Sequence, residues 1–177
     1  MFLKADQLDN LTARQDIAAR FAAHGIAGSR LILEGASPRS QYLDAYSRVD
    51  IALAPFPFNG GTTSAESLWM GVPVLTLAGN RCISRQGSGL LLNAGLPQWI
   101  GADTDDYVAR AVAHASDLQR LAALRNGLRQ QVLGSPLFNT TGFAEDFEAA
   151  LRGMWTQWCK QQLGRESALT RRSRVIS

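Results

Sequence analysis

The sequence predicts an α/β fold, a Rossmann-like parallel sheet with flanking helices. Three observations carry this expectation. Short apolar runs of strand length recur, stretches of helical periodicity separate them, and glycine or proline marks the joins. Strands separated by helices of this length imply parallel pairing with right-handed crossovers. The 177 residues, 46% hydrophobic and 19% charged, are enough for one well-cored domain of ordinary globular composition.

Taken in order, Leu11, Ile17, Ala18, Phe21 and Ala22 lie near helical spacing between Asp9 and His24, and Gly25 stops that helix. Leu31-Ile32-Leu33 reads as a buried strand. Ser37-Pro38 opens a helix to about Arg48, with proline in its first turn. Asp50 to Ala54 is a second strand, ended by Pro55-Phe56-Pro57. Thr63 to Met70 is a short helix stopped by Gly71, and Val72 to Leu77 is a third strand. A helix from about Ser84 to Asn93, an extended piece at Trp99-Ile100, and helices over Thr104–Ser116, Asp117–Leu133 and Thr141–Leu163 follow. The expected organisation is one lobe over residues 1–163 and a loose basic tail over 164–177.

Composition excludes several classes. No stretch approaches the ~20 apolar residues of a membrane helix, so no membrane partner is expected. The start, Met1 to Asp6, has one lysine and no apolar run and does not read as a secretory signal. Two cysteines, Cys82 and Cys159, are too few for a disulfide scaffold, and a reduced, cytoplasmic protein is the expectation. His24 and His114 stand apart without a ligand cluster, so no metal and no cofactor is expected. The net charge of +3 looks like a nucleic-acid signal, but five basic residues and one acid lie beyond residue 159. The first 159 residues hold 13 basic against 14 acidic side chains. The tail has no interleaved aromatics, so nucleic acid is not an expected partner.

The most informative stretch is Pro55-Phe56-Pro57-Phe58-Asn59-Gly60-Gly61-Thr62-Thr63-Ser64-Ala65-Glu66. It leaves a strand's C-terminal end and enters a helix, where open parallel sheets bind ligands. Gly60 and Gly61 let an anion approach the backbone without a Cβ in the way. Thr62 and Thr63 add hydroxyls, and free N–H groups at the helix start complete a phosphate cradle. Glu66, one turn in, can accept hydrogen bonds from ribose hydroxyls. The spacing Thr63-x-x-Glu66 is equally a capping box, and Asn-Gly-Gly is a common turn. On spacing alone the capping box is the more frequent arrangement.

Asn59 to Leu77 resembles the C-terminal catalytic lobe of the O-GlcNAc transferase and SPINDLY-like family, glycosyltransferase family 41. That family has Asn-Gly-His/Gly-Thr-Thr, an acidic residue, Leu-Trp-x-Gly and Pro-Val-Leu-Thr in the same order. Ile83-Ser84-Arg85-Gln86-Gly87-Ser88 is similar to its Ala-Ser-Arg-x-x-x-Ser, and Ser135 to Asn139 to its Ser-Pro-Leu-Phe-Asn/Asp. The likeness covers about Arg30 to Trp158.

The resemblance implies a GT-B fold and the UDP-sugar-binding portion of an inverting, metal-independent protein O-GlcNAc transferase-like enzyme. By position, Gly60, Gly61, Thr62 and Thr63 would hold the diphosphate, and Glu66 the ribose. Arg39 would lie along the base edge, and Tyr42 would replace a histidine that packs on the ring. Implied partners are a UDP-sugar, with UDP-GlcNAc favoured, and a Ser/Thr protein acceptor. An N-terminal catalytic lobe and a tetratricopeptide region would lie outside this sequence.

The family's phosphate-contacting lysine and glutamine come from an earlier segment, and nothing in Met1–Ser29 matches it. Lys4 stands too isolated for that role. The expectation is therefore the terminal portion of a larger enzyme, or a truncated reading frame, with no turnover by this chain alone and an unassigned catalytic base. Two other readings stay open: a related GT-B transferase using another sugar nucleotide, and a non-catalytic interaction domain in which Glu66 is only a cap. Arg85 in a helix's first turn opposes the macrodipole and calls for a nearby anion or a reach to water. Gly87 and Gly89 are expected to mark close packing, and the stripe Phe143, Phe147, Leu151, Met154, Trp155 and Trp158 to be core or an inter-lobe surface.

Overall fold

The computed structural model describes the backbone of residues 1–174 and the side chains of residues 1–162. It comprises two compact units, Met1–Val132 and Leu133–Ser177. The first unit holds the five strands of the described residues, every pair of them parallel. Strands β1 (Phe2–Lys4) and β2 (Ile32–Glu34) pair in the register Phe2↔Ile32 to Lys4↔Glu34. Strands β3 (Ala52–Leu53), β4 (Val74–Leu77) and β5 (Ile100–Gly101) form a second piece with β4 in the middle.

Each crossover is helical. α1 (Leu11–Ala22) follows β1, α2 (Arg39–Asp44) follows β2, α3 (Thr62–Trp69) joins β3 to β4, and α4 (Gln86–Asn93) joins β4 to β5. α5 (Thr104–Ser116) and α6 (Leu118–Leu133) follow. α3, α4 and α5 all pack against β4. That explains why Val74, Leu75 and Thr76 are buried and why β4 reads as a continuous apolar run. Leu68, Val72, Leu75, Leu128 and Val132 have no measurable exposure, and Leu91, Leu96 and Trp99 almost none. Burying such a side chain contributes about 1.5–3 kcal/mol.

Local signals end these helices where the sequence places them. Asn10 caps α1 by accepting from the Thr12 N–H at 2.8 Å. Gly71 closes α3 at φ +75°, a conformation that side chains with a Cβ rarely adopt. Phe2–Lys4, to which the sequence reading assigns no element, is a strand, and two expectations shift. The helix expected from Ser37 to Arg48 is shorter, with Pro38 as its N-cap and a 3₁₀ turn over Ala45–Arg48. Gly87 does mark close packing, since a Cβ there would lie 2.5 Å from Thr76 Oγ1, but nothing lies within 4 Å of a Cβ at Gly89.

The second unit contains a 3₁₀ turn over Pro136–Phe138, capped by Ser135 Oγ accepting from the Leu137 N–H, and the helix α7 (Thr140–Arg174). Phe143, Phe147, Leu151, Met154, Trp155 and Trp158 are exposed rather than core. They are partly satisfied along the helix itself, as Phe143 stacks on Phe147 and Trp155 on Trp158. The side chains of the basic stretch 164–177 lie outside the described residues, as do residues 175–177 altogether.

Candidate functional site

The glycine loop leaves the C-terminal end of β3 and enters α3, with a cis peptide between Phe56 and Pro57. Gly61 is the N-cap of α3, and no side chain caps the helix. The capping box open to Thr63 and Glu66 is therefore not formed. The first intrahelical bond runs from Ala65 N to Gly61 O, and the amides of Thr62, Thr63 and Ser64 have no acceptor among the described residues. These amides carry the positive end of the helix dipole. Neither Gly60 nor Gly61 has a positive φ, so backbone conformation does not require glycine there. Space does: a Cβ at Gly60 would lie 2.3 Å from Thr63 Oγ1.

Glu66 turns away from its own helix start toward α2. Arg39 Nη1 donates to Glu66 Oε1 at 2.5 Å, and Tyr42 Oη donates to Glu66 Oε2 at 2.9 Å. The structure thus brings Arg39, Tyr42, Thr63 and Glu66 into one cluster, beside the Gly60-Gly61-Thr62 turn. Arg39 is 65% exposed and Glu66 only 11%, so the carboxylate is the fixed partner and the guanidinium the solvated one. The Arg39 guanidinium also lies 5.6 Å from the centre of the Tyr42 ring. Burial, then the bonds with Tyr46 and Glu66, push the Tyr42 hydroxyl well above the usual phenol range. It is a donor at neutral pH.

Several residues outside the sequence-stated set complete the site. Tyr46 meets Tyr42 edge-on, with ring centres 5.8 Å apart, and its hydroxyl donates to Thr63 O at 3.2 Å. Asn59 is fully buried, and its Nδ2 donates to Pro55 O at 3.3 Å, closing the loop on itself. Asn59 Oδ1, Thr76 Oγ1 and Ser88 Oγ are buried without a hydrogen-bond partner among the described residues, and Thr76 and Asn59 both border Gly87. Gln86 reaches the turn from α4, its Oε1 3.1 Å from where a Gly61 Cβ would stand. The helical spacing of Tyr42 and Tyr46 is the one signal that could have found Tyr46.

The loop that leads into Arg39 at the start of α2 is itself anchored. Lys4 Nζ donates to Gly35 O at 3.0 Å, and Asp9 Oδ2 accepts from Ala36 N at 3.2 Å. Glu34 lies between Arg48 and Lys4, and chiefly Arg48 holds its carboxyl below the usual range. Arg85 is exposed and reaches water, one of the two outcomes expected of it, and its Nη1 also donates to Gly79 O at 3.3 Å. His114 stacks on Trp99 with ring centres 3.8 Å apart, away from this cluster in sequence and in hydrogen bonding. Among the described residues, no group of three His, Cys, Asp or Glu side chains is placed to hold a metal ion, and no helix is long and apolar enough to cross a membrane.

Comparison with known proteins bears on the family and the fold. The profile of Glycosyl transferase family 41 matches residues 11–147. A probable UDP-N-acetylglucosamine–peptide N-acetylglucosaminyltransferase SPINDLY of Arabidopsis thaliana is 42% identical over 69% of this chain and 13% of its own length. A similarly named SEC protein of Arabidopsis thaliana is 30% identical over 80% of this chain and 14% of its own length. Among solved structures, a Thermobaculum terrenum O-GlcNAc transferase carrying the K341M change superposes with a TM-score of 0.85 at 35% identity. It matches 90% of this chain, which spans 31% of that one. The chain therefore spans about an eighth of the length of these curated relatives.

Proposed function

The chain belongs to glycosyl transferase family 41, and from that membership we propose that it is the UDP-sugar-binding portion of a protein O-GlcNAc transferase-like inverting glycosyltransferase. The observation that carries this reading is the unshared amide turn of Thr62, Thr63 and Ser64 set beside the Glu66 carboxylate. A diphosphate needs convergent N–H donors and a ribose needs a fixed acceptor. The similarity to proteins named for UDP-N-acetylglucosamine supports that donor.

In this reading the Thr62–Ser64 amides and the Thr62 and Thr63 hydroxyls receive the diphosphate. They also stabilise the negative charge that grows on it as the bond to the anomeric carbon breaks. Glu66 accepts from the ribose, while Arg39 and Tyr42 border the base. A Ser/Thr hydroxyl of an acceptor protein attacks from the face opposite the leaving UDP, which inverts the anomeric configuration. Among the described residues the cluster offers binding groups and no base aimed at an acceptor. The isolated chain is therefore expected to bind without transferring sugar.

Calorimetric titration with UDP tests this reading. Glu66→Ala and Thr62→Ala should each weaken binding about five- to tenfold, the scale of one to two hydrogen bonds, with little change in melting temperature. A chain that binds no UDP at millimolar concentration overturns the reading in favour of a non-catalytic interaction domain.

A further inference from the structure

Two phenol groups in the cluster make three contacts that each call for a proton. Tyr42 Oη lies 2.9 Å from Glu66 Oε2, Tyr42 Oη lies 3.1 Å from Tyr46 Oη, and Tyr46 Oη lies 3.2 Å from Thr63 O. Each phenol carries one proton, so at most two of the three can be hydrogen bonds at any moment. The charged acceptor gives the strongest bond, so in the free chain Tyr42 donates to Glu66. If Tyr42 turns its O–H toward Tyr46 while Tyr46 donates to Thr63, both phenols remain bonded and Glu66 Oε2 is released. The choice between these arrangements is a rotation about the Tyr42 C–O bond alone, and no proton changes owner.

We propose that Tyr46 is a positioning residue that receives the Tyr42 hydrogen bond when a ribose hydroxyl takes its place on Glu66. This rests on Glu66 being the ribose acceptor, as read above. Burial raises the Tyr46 hydroxyl as it does that of Tyr42, so both keep their protons at neutral pH and the rotation is available. Without the Tyr46 hydroxyl, a Tyr42 that yields Glu66 becomes a half-buried O–H with no acceptor. The cost then falls on any ligand bearing a ribose and on none that lacks one.

The test is Tyr46→Phe, which keeps the ring and its edge-on contact with Tyr42. UDP and inorganic pyrophosphate are each titrated into the unaltered chain and the variant. Affinity for UDP should fall about three- to tenfold, the worth of one neutral hydrogen bond, while pyrophosphate stays within about twofold. In a Tyr42→Phe background, where no O–H remains to be rehoused, the same change should cost UDP less than about twofold. Equal weakening of both ligands, an unchanged UDP affinity, or full additivity of the two changes overturns the inference while leaving the UDP reading intact. An unaltered chain that binds pyrophosphate but not UDP, or neither, overturns the ribose reading and this inference with it.

Discussion

Gly87 and Gly89 lie two residues apart in α4, yet a methyl group would meet opposite surroundings at each. At Gly87 it falls 2.5 Å from Thr76 Oγ1 and 3.0 Å from Thr76 Cβ, on a buried strand residue that cannot retreat. At Gly89 it meets nothing within 4 Å. Gly87→Ala should destabilise by about 1–3 kcal/mol through overpacking, and Gly89→Ala should stabilise by about 0.5–1 kcal/mol through lower chain entropy. Urea denaturation of the two variants reads both signs. The sequence shows only two equivalent glycines, because the difference lies in a contact with Thr76, eleven positions earlier. The same holds in the site. The motif singles out Thr63 and Glu66, the family resemblance singles out Arg39 and Tyr42, and the structure sets the four together. That Arg39 and Tyr42 occupy Glu66 was not legible, since those bonds span 27 and 24 residues.

At the level of elements, helix starts divide into closed and open ones. α5 is closed: Asp103 Oδ1 accepts from Asp106 N at 2.8 Å, and Asp106 Oδ2 accepts from Ala102 N at 2.9 Å and from Arg110 Nε at 2.7 Å. α3 is open, with glycine where a cap would stand. Arg110 first, then the Ala102 amide, hold the Asp106 carboxyl below its ordinary value. The folded-state value thus lies below the unfolded one. This contribution is complete above pH ~4 and is lost as the pH falls through the lowered value. Thermal melts from pH 7 to pH 2.5 should show a smaller acid-side drop for Asp106→Asn than for the unaltered chain. Most helices were legible because caps and periodicity are local. β1 was not, because three residues ending in lysine form a strand only by pairing with Ile32–Glu34. α2 gives way to a 3₁₀ turn over Ala45–Arg48, from which Tyr46 reaches Thr63 O.

Across the whole molecule, burial is unevenly distributed between the units. Leu75 in β4 is fully buried, whereas Trp155 in α7 is 63% exposed. Leu75→Ala should cost about 2–5 kcal/mol and Trp155→Ala should stay within about 0.5 kcal/mol, both measured by chemical denaturation. The fold class was legible because β4 and its covering helices supply their own apolar partners within Thr62–Ser116. The fate of the α7 stripe was not, because helical periodicity identifies an apolar face without saying what covers it. Membership of the family adds what periodicity lacks, a matched segment of 137 residues spanning both units.

The uncapped start of α3 also bears on how this protein is handled at the bench. Bare peptide nitrogens distinguish poorly among tetrahedral oxyanions, so if the proposed diphosphate reading holds, sulfate or phosphate in a buffer competes for the same turn. On that proposal, apparent nucleotide affinity should be weaker in such salts than in a zwitterionic buffer with chloride. Preparations should be compared only after dialysis into one medium.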